Sequence, residues 1–208
     1  MNKQKLMCLL ALMVILKICP AFADTITAPP NWLGTKEFET NTQKHITSKF
    51  RMGRLEITLE ESGLDDVLQK IGVGTISHQG DAGDALAWIC YTVTIGEKRE
   101  RVWLGSSEMG GGTITQIDGL RIDKKEPVPK DCPALPMKYL PIGFENGIWI
   151  GTVKTEITRK LGLPQKNNDI WQYWYKGKFA EFDVSEALVA RTNGGKVVEI
   201  TVYKITSN

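Results

Sequence analysis

Two short helical patterns, spaced 90 residues apart, constrain this chain more than any other feature. Leu64, Val67, Leu68 and Ile71 fall at i, i+3, i+4 and i+7, the apolar stripe of a short amphipathic helix. Ser62 stands as its N-cap, Asp65 and Asp66 occupy the first turn, and Gly72 stops it. Ninety positions on, Thr152 takes the cap position, Ile157 and Leu161 carry the stripe, and Gly162 with Pro164 ends it. Each helix precedes strand-like runs. These are Ala85–Ile95, Arg99–Leu104 and Thr113–Ile122 after the first, and Trp171–Tyr175, Phe179–Val184 and Lys196–Ile205 after the second. Gly96-Glu97, Gly110-Gly111-Gly112, Lys176-Gly177 and Asn193-Gly194-Gly195 supply turns. The expectation is an α+β fold of two helix-plus-antiparallel-meander repeats, at 54–122 and 148–208.

Between them, residues 123–147 hold five of the nine prolines, which excludes a helix or a central strand and predicts a linker. Residues 24–53 are polar at first, contain Pro29 and Pro30, lack periodicity, and read as an irregular arm.

The N-terminus dictates compartment. Lys3 and Lys5 precede an apolar run from Leu6 to Leu16, followed by Ala21-Phe22-Ala23, the layout of a secretory signal peptide cleaved after Ala23. The run is too short to span a bilayer, which takes about 20 residues. Acylation of Cys19 is the rival, but Lys17, Ile18 and Pro20 fit a lipoprotein site poorly. Cleavage removes Lys3, Lys5 and Lys17 and no acid. Of 26 basic residues 23 remain against 24 acidic ones, a net charge of −1. Such a chain has no electrostatic reason to bind nucleic acid or anionic lipid. A periplasmic or secreted location is expected.

Cys8 and Cys19 leave with the signal. Cys90 and Cys132 remain as a pair in an oxidising compartment, which favours a disulfide. The alternative is a nucleophilic Cys90, but it sits in the apolar run Ala87-Trp88-Ile89-Cys90-Tyr91.

The segment from Gly151 to Pro164, GTVKTEITRKLGLP, resembles the helix signature of the SmpA/OmlA (BamE-like) envelope proteins. The whole unit is similar to the repeat of the β-lactamase inhibitor protein, whose two α/β units join into one curved sheet. The first half matches only over Ser62–Gly72, without the Gly start or the Pro stop. The resemblance implies a non-catalytic protein-binding module of the inhibitor, assembly or immunity type, whose partner is another envelope or secreted protein.

Two candidate sites follow. In Trp171-Gln172-Tyr173-Trp174-Tyr175 alternation sends Trp171, Tyr173 and Tyr175 to one face and Trp174 to the other, so some large aromatics should face outward as binding hot spots. Trp88 and Trp149 read as core. The second candidate is Ser77–Asp84, where His78, Asp81 and Asp84 could serve a small hydrolase or metal-dependent enzyme. Their spacing matches no zinc or calcium pattern, and the Gly and Asp content suits a turn, so no metal or other cofactor is expected. Glu60-Glu61 and Asp65-Asp66 are explained by the start of the first helix.

Edman sequencing of the exported protein should begin at or near Asp24; a diacylated Cys19 would establish the lipoprotein reading instead.

Overall fold

The computed structural model describes residues 27–30, 40–81 and 85–207. The protein is α+β, built almost wholly from antiparallel sheet with two helices. In chain order the elements are β1 (Lys49–Met52), β2 (Leu55–Thr58), α1 (Leu64–Ile71), β3 (Ile76–Gln79), β4 (Leu86–Ile95) and β5 (Lys98–Ser107). They continue with β6 (Gln116–Ile122), β7 (Ile142–Phe144), α2 (Lys154–Leu161), β8 (Gln165–Asn167), β9 (Ile170–Phe179), β10 (Phe182–Asn193) and β11 (Lys196–Ser207). One sheet of three strands runs β2-β1-β7. A second, of eight strands, runs β3-β4-β5-β6-β11-β10-β9-β8.

Both helices bury the stripe the sequence predicts, Leu64, Val67 and Ile71 on α1 and Ile157 and Leu161 on α2. Their caps differ from expectation. Ser62 and Thr152 stand one residue before the N-caps, which are Gly63 and Val153. Their hydroxyls turn backward, accepting the Thr58 and Trp149 amides at 2.9 Å each. The first helical amides go instead to turn carbonyls, Leu64 to Gly112 and Lys154 to Gly195, at 3.0 Å each. A strand turn does the work of a capping side chain at both helices. Gly63 and Val153 also form single antiparallel bridges, to Thr113 and Lys196.

The large sheet is apolar on both faces. Tyr91, Leu104, Ile117, Ile200, Leu188 and Tyr173 join the helices and the small sheet in one core. Period-two alternation sends Trp88, Cys90 and Trp103 to the other face, where they pack with Cys132. The chain covers that face with its Pro-rich segment. Cys90 and Cys132 form a disulfide, closing a separation of 42 residues, which stabilises the fold by about 4 kcal/mol in chain-entropy accounting. Pro133 accepts the Thr92 amide and Thr92 accepts that of Leu135, so residues 132–135 run along β4 beyond the start of β3, whose Ile76 pairs with Ile89. Thr27 is held by both carboxylate oxygens of Asp131, and its carbonyl accepts the indole N–H of Trp88 (3.2 Å) and of Trp103 (2.9 Å).

Several boundaries move. The irregular arm ends earlier than residue 53, because Lys49–Met52 pairs on both sides as the middle strand of the small sheet. The segment 123–147 is bound to the fold through the disulfide and β7, and β7 is an edge strand, where proline neighbours are tolerated. Part of the turn expected at Ser77–Asp84 is strand β3. The turn expected at Lys176-Gly177 lies inside β9, and the chain reverses at Ala180, which takes φ 53°. Gly177 is there because the Tyr175 ring folds along the strand: a Cβ at 177 would stand 2.2 Å from the Tyr175 hydroxyl.

Asp118, on β6, is wholly buried beside β11. It accepts hydrogen bonds from the Thr201 hydroxyl and from Gln116 Nε2 (2.7 Å). Burial pushes its carboxyl up to about 7, against those two hydrogen bonds and with a further push from Glu199. A raised carboxyl favours the folded state in its protonated form. Its contribution is full below about pH 4 and is lost as pH rises through about 7. The melting temperature should therefore fall by several degrees between pH 5 and pH 8, at about 2–4 °C per kcal/mol for a chain of this size. Asp118→Asn should flatten most of that slope, leaving the smaller share of Glu100, which burial also raises. A wild-type profile flat across this range would contradict the assignment.

Candidate functional site

Antiparallel pairing gathers loop ends at one place. In the small sheet the start of β1 and the ends of β2 and β7 lie at the same end: Leu59 donates its amide to Ser48, and Glu145 donates to Lys49. In the large sheet the end of β9, the start of β10 and the end of β11 lie together. Between these two ends opens a cleft of about 1000 Å³. One side is lined by His45, Thr47, Ser48, Leu59, Glu61 and Glu145. The other is lined by Lys178, Phe179, Phe182, Val184, Lys204 and Thr206.

Two carboxylates brace it. Glu186, buried on β10, accepts the Ile46 amide at 2.6 Å through Oε2 and faces His45 Nδ1 at 3.1 Å through Oε1. His45 Nε2 is hydrogen-bonded to the Tyr175 hydroxyl at 3.1 Å, and the two rings stand 4.2 Å apart. Both nitrogens of His45 are thus used within the protein. The arrangement pins residues 41–46 against β9 and β10 rather than offering a free base. The pin extends along β9, where Asn41 Oδ1 accepts the Trp174 amide at 2.7 Å and Asn41 Nδ2 donates to Gln172 at 2.8 Å.

Glu60 is the second brace. It takes φ 67°, a left-handed conformation uncommon for a residue with a Cβ. Its carboxylate accepts the Thr206 amide and hydroxyl (2.5 and 2.8 Å) and pairs with Lys204 at 3.3 Å. The expectation that Glu60 serves the start of the first helix is corrected: its side chain ties the turn after β2 to β11.

The aromatic strand does not present outward hot spots. Trp171, Tyr173 and Trp174 are all buried, and Tyr175 is half-buried against His45. Trp171 and Tyr173 sit in the main core, and the Tyr173 hydroxyl donates to the Gly162 carbonyl at 3.1 Å. The second face also is covered, so neither register of the strand leaves an aromatic bare. Among the described residues the large exposed aromatic is Phe179, 73% accessible at the rim of the cleft.

His78 lies exposed on the edge strand β3, and Asp81 is exposed beyond it; Asp84 falls outside the described residues. The structure does not bring His78 to the cleft. Among the described residues no three His, Cys, Asp or Glu side chains are placed to hold a metal ion. Sequence reading missed His45, Glu186 and Phe179. His45 and Glu186 are 141 positions apart, and no local pattern links them.

Comparison with protein-family models, with curated proteins and with solved structures finds no match to this chain.

Removing Glu186 should loosen the pin. Glu186→Ala leaves the Ile46 amide without its acceptor and His45 without its partner, at a cost of about 1–3 kcal/mol. Hydrogen exchange should accelerate at Ile46 while the β4–β5 amides keep their protection. Unchanged exchange at Ile46 would show that Glu186 does not hold the segment.

Proposed function

We propose that this chain is an exported, periplasmic protein-binding module of the inhibitor, assembly or immunity type, and that its partner docks at the cleft. The observation that carries this reading is Phe179, a large apolar side chain left exposed beside a cleft of about 1000 Å³. Exposed aromatics next to a concavity are the usual anchors of protein recognition. Export is supported by the signal-peptide pattern at residues 1–23 and by the disulfide, a bond suited to an oxidising compartment. Because both ring nitrogens of His45 are engaged internally, the cleft is better equipped to bind than to transfer protons.

The fold is read as two copies of one helix-plus-meander unit. Supporting this, the helices, their N-caps and C-caps are each offset by 90 positions. The strand order is mirrored about the β6–β11 contact, and both helices take a turn carbonyl at the same amide. Such a plan resembles that of the β-lactamase inhibitor protein and the BamE-like proteins, in keeping with a binding role.

Phe179→Ala should leave the melting temperature within about a degree of wild type, since the ring is mostly in solvent. It should weaken capture of the partner from periplasmic extract by roughly 30-fold, the loss of a hot spot of about 2 kcal/mol. Undiminished capture by this folded variant would remove the cleft from the proposal.

A further inference from the structure

The cleft's charges are largely satisfied from within, and the remainder has one sign. Glu60 pairs with Lys204 and Lys178 with Asp183, while Glu186 is taken up by the Ile46 amide and His45 Nδ1. Glu61 and Glu145 are exposed and make no ion pair among the described residues. The nearby Lys49 is engaged by Glu56 at 3.0 Å. A visitor therefore meets two carboxylates without a direct ion pair on the small-sheet side, Glu145 feeling the charge of Lys49, and both facing Phe179 and Phe182 on the other.

A second observation points to a ligand with backbone polar groups. Thr47 lines the same cleft and is more than nine-tenths buried, yet its hydroxyl has no hydrogen-bond partner among the described residues. Buried hydroxyls are nearly always paired, and an unpaired one at a cleft wall marks where a partner's donor or acceptor belongs.

We propose that the occupant of the cleft is an extended protein segment presenting a lysine or arginine beside an apolar side chain. The apolar side chain packs on Phe179 and Phe182. The cation lies against Glu61 and Glu145, which stand in the turns that follow β2 and β7, the two strands flanking β1. A backbone group of the segment meets the Thr47 hydroxyl. An acidic segment would set its charge against both carboxylates, so charge complementarity selects the basic one. This identification rests on the cleft being the docking site and adds the chemistry of what docks there.

The test uses the purified protein and two capped nonapeptides, one with a central phenylalanine flanked by lysines and its twin with glutamates in their place. Calorimetric titration at low salt should show the lysine peptide binding at least 10-fold tighter than its twin. Its affinity should fall as salt rises from 50 to 500 mM. Amide shifts should cluster at Thr47, Glu61 and Phe179. The double variant Glu61→Gln/Glu145→Gln, altered only at exposed side chains, should keep its melting temperature and lose the lysine peptide at least 10-fold. Equal binding of the twins, binding insensitive to the double variant, or shifts away from the cleft would overturn the inference. If neither peptide binds while Phe179→Ala still weakens partner capture, the docking site stands and its basic occupant falls.

Discussion

The antiparallel pairing of β6 with β11, five residue pairs from Leu120↔Glu199 to Gln116↔Tyr203, is the contact on which the remaining architecture depends. It converts two four-stranded arrays into one sheet and fixes the mutual position of both helices. It also constrains composition locally. Gly119 lies in the middle of β6 because the Trp149 indole rests on it; a Cβ there would stand 2.5 Å from the ring. The same indole donates to Glu100 at 3.1 Å and packs at 4.9 Å on Phe50 of the small sheet. One bare backbone position thus lets Trp149 join the large sheet, the small sheet and the entry to α2.

A wide sheet with helices on one side has a second face to cover, and here irregular chain covers it. Irregular backbone leaves polar groups that must be met. This explains the buried Thr92, whereas the buried Asp118 and Thr201 answer each other on adjacent strands and Glu199 pairs with Arg191. Thr92 donates to the Cys132 carbonyl at 2.8 Å, and the two indole N–H groups share the Thr27 carbonyl. The disulfide fixes the covering segment where a hydrophobic contact alone would leave prolines without ladder hydrogen bonds.

Periodicity and punctuation carried far in this sequence. Helix positions, five of the strands and the cysteine pair could all be read from residues close together in the chain, whereas the run Phe179–Val184 straddles the reversal between β9 and β10. The errors have a common cause. Ser62 and Thr152 look like caps because they precede apolar stripes, but capping depends on the turns at Gly112 and Gly195, far along the chain. Lys176-Gly177 looks like a turn because glycine usually breaks strands; here it makes room for Tyr175. The aromatic strand was expected to show one face to solvent, because nothing local reveals that the second face is covered.

The cleft was the least legible part, and its construction shows why. It exists because two unrelated sheets each end at the same place, and its braces span the chain: His45 reaches Glu186, and Glu60 reaches Thr206, 146 positions away. Neither brace could form without the β9–β10–β11 ladder already in register. A slip of one residue in β10 would turn Glu186 to the opposite face of the sheet and leave the Ile46 amide without its carboxylate. The rim residue Phe179 stays exposed for a related reason. It ends β9 opposite Phe182, one residue before the β10–β11 ladder begins at Asp183↔Ser207, where among the described residues no further strand covers it. Site and fold therefore share one determinant, the register of the last three strands.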